Sequence, residues 1–143
     1  DRSISRQNVN PKKIYCVDHA LAASVSAGLT EDKGHLLENL VFAHLRRLTD
    51  RIFYFRTPSG GEIDLVWLSA EGVRHAVQVC YSLKDAATRK RETDTLRDGL
   101  KALQLKEGWI VTAEEQELIR EGGFTIHVVP AWLYLATLGQ GTT

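Results

Sequence analysis

The chain has 143 residues, with 18 Lys+Arg against 18 Asp+Glu, so its formal net charge is zero. That length makes one domain with a single core, and the charge balance excludes a surface that binds nucleic acid or anionic membrane over its whole extent. A composition of 43% hydrophobic and 25% charged residues excludes a disordered chain, and no apolar run approaches the roughly 20 residues of a membrane span.

The polar start, DRSISRQNVNPKK, lacks the apolar stretch of a signal peptide. Cys16 and Cys80 both sit in apolar runs, which is the pattern of buried thiols in a reduced, cytoplasmic protein. There is no methionine and the first residue is Asp1. The expectation is therefore a domain excised from a longer protein, with residues 1–11 a linker from a missing upstream module and residues 12–143 an α/β domain.

Taken in chain order, residues 12–17 (KKIYCV) predict a short strand and residues 18–27 a short helix ended by Gly28. Thr30 caps the next helix, expected over 31–48, with apolar residues at 37, 40, 41, 45 and 48. Three strands follow, at 51–56, 62–68 and 73–83, separated by the turns TPSGG and SAEG, and they predict an antiparallel meander. The third is apolar on both faces and should be central. Residues 85–105 predict a helix burying Leu96, Leu100 and Leu103 and ended by Gly108. A strand at 109–112, a short helix at 113–121 capped by Gly122-Gly123, a strand at 124–129 and a terminal helix at 131–138 complete the order. Helices alternating with late strands on a meander make an α/β sandwich with a mixed sheet.

The chemistry-bearing residues collect around GEIDLV and VQVCY. Residues two apart in a strand share a face, which pairs Glu62 with Asp64 and Gln78 with Cys80. Adjacent meander strands bring Asp64 and Gln78 side by side, and Glu38 on the upstream helix reaches toward the same edge. Two carboxylates and an amide oxygen are hard ligands of the kind that suit Mg²⁺ or Mn²⁺. No HxxxH or HExxH spacing points to zinc, and Gly60-Gly61 is not followed by the Lys-Ser/Thr of a phosphate-binding loop. Any ATP site would thus belong to an upstream module.

A helix glutamate, the hairpin GEIDLV, a following Q-x-C strand and a helix opening TRKRE resemble the PD-(D/E)XK, restriction-endonuclease-like superfamily. More narrowly, GHLLENLVFAHL, GGEIDLVW, VQVCYSL and TRKRE are similar to a domain of unknown function at the C-terminus of prokaryotic AAA-type ATPases. That resemblance spans about Lys12 to Leu138. It implies a restriction-endonuclease-like core, a central mixed β-sheet flanked by helices. It also implies a metal site of Glu38, Asp64 and Gln78, surrounded by Glu62, Cys80, Arg89 and Glu92. Cys80 stands where the superfamily carries its lysine, so a neutral thiol replaces a charge that would stabilise hydroxide or the phosphoryl oxygens. Lys84 or Lys90 could supply the missing cation.

The resemblance implies an accessory domain of a longer ATPase, regulating it or contacting a partner, on a scaffold whose metal site is degenerate. Two alternatives stand beside it. One is a Mg²⁺-dependent nuclease acting on DNA or RNA through Glu38, Asp64, Gln78 and Lys84. The other is a nucleic-acid-binding module without chemistry, using Arg89, Lys90 and Arg91. Interleaved acids weigh against the last, because pairs such as Arg89–Glu92 and Lys90–Asp94 make a solvated helix face.

Overall fold

A computed structural model describes residues 33–138. The expected linker at 1–11, the strand at 12–17, the helix at 18–27 and Cys16 lie outside the described residues. Helix α1 spans Lys33–Arg46 and is followed by β1 (Ile52–Arg56), β2 (Glu62–Leu68) and β3 (Arg74–Val79). Helix α2 (Ala86–Leu103) leads to β4 (Glu107–Thr112), β5 (Glu117–Glu121), β6 (Phe124–Pro130) and α3 (Ala131–Leu138). The six strands form one mixed sheet in the order β1-β2-β3-β4-β6-β5. The pairs β1–β2, β2–β3 and β5–β6 are antiparallel, and β3–β4 and β4–β6 are parallel. The fold is a mixed α/β sheet flanked by three helices.

Each face of the sheet carries its own apolar layer. On one face, Leu96, Leu100 and Leu103 of α2 pack on Ile63, Val66, Ala76, Ile110, Ile126 and Val128. The leucine stripe repeats at helical spacing, so one side of α2 is mostly apolar and the other is free to be charged. On the other face, Val41 and Leu45 of α1 and Ala131 and Tyr134 of α3 pack on Leu65, Trp67, Val77, Val79 and Val111. β3 is interior and covered on both sides, which is why its sequence is apolar at successive positions. Asp85 caps α2, its carboxylate accepting from the N–H of Thr88 at 2.9 Å.

Four expectations need correction. Residues 113–121 are not a helix: Glu117–Glu121 is an edge strand pairing with β6. Gly122 and Gly123 both have positive φ, at 60° and 82°, and form the two-residue hairpin turn rather than a helix cap. Nine helix-forming residues are too few to hold a helix without packing. Pairing with β6, the packing of Ile119 on the α2 layer and ion pairs from Arg89 and Arg97 of α2 to Glu117 and Glu121 fix the strand instead. Secondly, α2 ends at Leu103, not at Gly108. Gln104 adopts the left-handed conformation (φ 59°, ψ 40°) and its N–H reaches Leu100 and Lys101 carbonyls, while Gly108 lies inside β4 under the α2 leucines. Thirdly, β3 stops at Val79 rather than at 83, because the following loop is captured by the β4–β5 connection. Fourthly, Cys80 is only partly buried.

Candidate functional site

The site is made by an irregularity in β2. Against β1, Phe53 pairs with Val66 and Phe55 with Ile63, so β2 takes three steps where β1 takes two. That extra residue falls at Asp64–Leu65, and a bulge of this kind interrupts strict alternation. Ile63 therefore packs on the α2 layer together with Val66, while Leu65 packs on the opposite layer. Against β3, the regular register runs from Leu68–Arg74 to Leu65–Val77 and ends there.

Beyond that point two side chains join the strands. The N–H of Asp64 donates to Oε1 of Gln78 at 2.8 Å, and Oδ2 of Asp64 accepts from the N–H of Val79 at 2.8 Å. Asp64 and Gln78 are thus brought together, as strand pairing leads one to expect. The Gln78 side chain is 3% exposed, and its Nε2 donates to Oε2 of Glu92 on α2 at 3.0 Å. Burial without partners would cost such an amide on the order of 1–3 kcal/mol, so both its ends must be satisfied. Glu92 in turn lies 3.5 Å from the Arg91 guanidinium.

The electrostatics follow from this half-enclosed setting. Burial pushes the Glu92 carboxyl above the usual carboxylate range, with Arg91 and then the Gln78 amide pulling it back. Burial likewise pushes the Cys80 thiol up, and the Glu92 carboxylate adds to that. Its Sγ donates to the Ser82 carbonyl at 3.2 Å. Cys80 is accordingly a neutral thiol turned to the backbone, with no charge to offer a reacting anion.

Glu38 lies on the α1 stripe that also bears Val41 and Leu45, in the layer on the sheet face opposite α2. Glu62 opens β2 and pairs in register with Arg56. Lys84 lies in the β3–α2 loop and lines a cleft of about 400 Å³ with Arg89, Glu115, Glu117 and apolar neighbours; Asp64, Gln78, Cys80 and Glu92 do not line that cleft. Arg89 grips Glu117 with two bonds of 2.8 and 2.5 Å, rather than the expected Glu92. Lys90 pairs with Asp94 at 2.5 Å, as expected, and Arg91 with Glu92.

Sequence reasoning passed over two features. Glu115, in the β4–β5 connection, accepts from the Ser82 hydroxyl and the Leu83 N–H, each at 2.8 Å, and so fixes the loop that carries Lys84. Nothing in the spacing joins residues that far apart. The other is a cross-strand row of rings: Trp67 stacks on His75 at 4.2 Å, His75 lies 5.8 Å from Trp109, and Trp109 stacks on His127 at 5.0 Å. Aromatic residues on four strands, with Trp67 facing His75 and Trp109 facing His127, were the available signal.

Among the described residues no three His, Cys, Asp or Glu side chains come together as a metal cage. The oxygens available for a divalent cation at the bulge are those of Asp64 and Gln78. Oδ2 of the first and Oε1 of the second already accept backbone hydrogens. No described helix is long and apolar enough to cross a membrane.

Comparison with known proteins places this geometry in a family. An uncharacterized protein of Methanocaldococcus jannaschii is 26% identical over 151 residues, an alignment covering 94% of this chain and 32% of that protein. The chain therefore spans about a third of the length of this curated relative. No solved structure matches. Residues 33–134, from α1 into α3 and including the whole sheet and the relay, match the domain of unknown function DUF4143, and the chain belongs to that family.

Proposed function

We propose that this domain is a non-catalytic accessory module of a longer polypeptide, a C-terminal domain of an AAA-type ATPase that regulates the ATPase or contacts its partner. In this reading the scaffold is PD-(D/E)XK-like and its metal site is degenerate. The observation that carries it is the Asp64–Gln78–Glu92 relay. Here two of the side chains that would hold Mg²⁺ or Mn²⁺, Asp64 and Gln78, bond to backbone N–H groups of β2 and β3 and to Glu92 of α2. A metal-assisted displacement needs oxygen ligands open to the ion and a cation beside the phosphoryl oxygens. Cys80 supplies no cation, and Lys84 lines a different cleft. Arg89, Lys90 and Arg91 each have an acidic partner, which disfavours a basic nucleic-acid face. A relative about three times as long supports a module within a larger chain.

The test is cleavage of plasmid, linear and single-stranded DNA and of RNA by the native polypeptide with Mg²⁺ or Mn²⁺, with Asp64→Ala as control. ATP turnover is measured with and without residues 33–138. The expected result is no Asp64-dependent cleavage and an altered ATP turnover. Cleavage that disappears in Asp64→Ala overturns the reading and establishes the nuclease.

A further inference from the structure

We infer that Glu92 is a positioning residue for Asp64, acting from α2 through the buried amide of Gln78. A glutamine amide has two unlike ends, one that only accepts and one that only donates. Buried between a backbone N–H on one side and a carboxylate on the other, it has one satisfied orientation. Turned over, its NH₂ would face the Asp64 N–H and its oxygen would face Glu92, giving donor against donor and acceptor against acceptor. Glu92 holds the orientation from the α2 side, because its carboxyl oxygen Oε2 accepts from Gln78 Nε2 at 3.0 Å. With the amide so fixed, Oε1 meets the Asp64 N–H at 2.8 Å.

The main-chain position of Asp64 then sets where its carboxylate lies, and Oδ2 takes the Val79 N–H at 2.8 Å. These bonds stand where the β2–β3 register has ended at Leu65–Val77, so no ladder hydrogen bond does this work for them. The relay begins at the surface with Arg91, whose side chain is 67% exposed, and ends at the bulge. It also explains why residue 78 is an amide: a carboxylate there would face Glu92 across 3.0 Å in a site poor in water. The inference goes beyond the accessory-domain reading and stands or falls without it, because neither cleavage nor ATP turnover reads it.

The test is amide hydrogen exchange of the 143-residue chain, read at the Asp64 and Val79 N–H groups with Val77, Ile110 and Val111 as internal references. Glu92→Ala is expected to lower protection at Asp64 and Val79 about tenfold, the equivalent of one net hydrogen bond, and to leave the reference amides unchanged. Glu92→Gln keeps a carbonyl oxygen for Gln78 Nε2 and is expected to keep the protection. Gln78→Glu is expected to lose it. The double variant Gln78→Glu/Glu92→Gln is expected to regain it, since the amide now on α2 donates to the carboxylate now on β3. Unchanged protection in Glu92→Ala overturns the inference, as does loss spread evenly over the sheet. A double variant no better protected than Gln78→Glu alone does the same. If Glu92→Ala does not fold, Glu92→Gln and the double variant decide.

Discussion

Replacing Gly99 by alanine tests how closely α2 rides on β2, the approach that lets Glu92 reach Gln78. A Cβ at Gly99 would lie 2.5 Å from Cδ1 and 2.6 Å from Cγ1 of Ile63, and 3.6 Å from Cγ2 of Thr57. Carbon atoms prefer about 3.5–4.0 Å, so two carbons of one side chain are overlapped together. Ile63 is fully buried, in an interior packed as densely as a crystal. Helix propensity alone would reward the change by about 1 kcal/mol. Overpacking a closed core costs about 1–3 kcal/mol, and a double overlap with a branched, enclosed side chain belongs at the upper end. The expected net effect of Gly99→Ala is therefore a loss of about 1–2 kcal/mol, or a fall in Tm of ~3–7 °C. Ile63→Val removes the nearer carbon and costs about 0.5–1.5 kcal/mol by itself. Because it relieves the nearer of the two overlaps, the double variant should lose less than the sum of the two. Urea unfolding of the four proteins measures this cycle. A stabilised Gly99→Ala, or strict additivity with Ile63→Val, would show that α2 does not sit this close to β2.

Two further outcomes are expected. Burial holds the His75 imidazole below its ordinary value of 6.5, against the pull of Glu107. The unfolded chain then binds this proton more readily than the folded one, so the stability contributed is full above pH 6.5 and is lost as pH falls through the lower folded value. His75→Gln should flatten that part of the stability profile, measured by urea unfolding between pH 7.5 and about 5. Gln104 holds a left-handed conformation at the end of α2, which costs a side-chain-bearing residue about 1–2 kcal/mol. Gln104→Gly should raise stability by about 0.5–1 kcal/mol once the greater freedom of the unfolded glycine is subtracted, and a lowered urea midpoint would contradict this.

Most of the architecture can be read from the sequence because it rests on short-range rules. The leucines at 96, 100 and 103 mark the buried side of α2, and Asp85 marks its start. The turns TPSGG and SAEG delimit β1, β2 and β3, and the two-sided apolar run of β3 announces its interior place. Where local rules fail, a partner distant in sequence has overruled them. AEEQELIRE carries good helix formers, yet β6 and two arginines of α2 draw its second half into an edge strand. Gly122-Gly123 is legible as punctuation, but whether it stops a helix or turns a hairpin depends on which strand lies beside it.

The candidate site divides in the same way. That Asp64 and Gln78 meet follows from adjacent strands and a period of two, which the sequence by itself determines. The residue that completes the relay does not follow, because Glu92 reaches Gln78 only once α2 has folded back over the sheet. The bulge at Asp64–Leu65 is equally invisible: EIDL alternates on paper, and the extra residue shows only in the register of β2 against β1. Composition and periodicity act between neighbours along the chain, so they fix elements and their inward faces. Hydrogen bonds between layers depend on the geometry of the whole core, and only the tertiary structure decides that Arg89 turns to Glu117, that Glu115 holds the loop after β3, and that the Gln78 amide is held by Glu92 of α2.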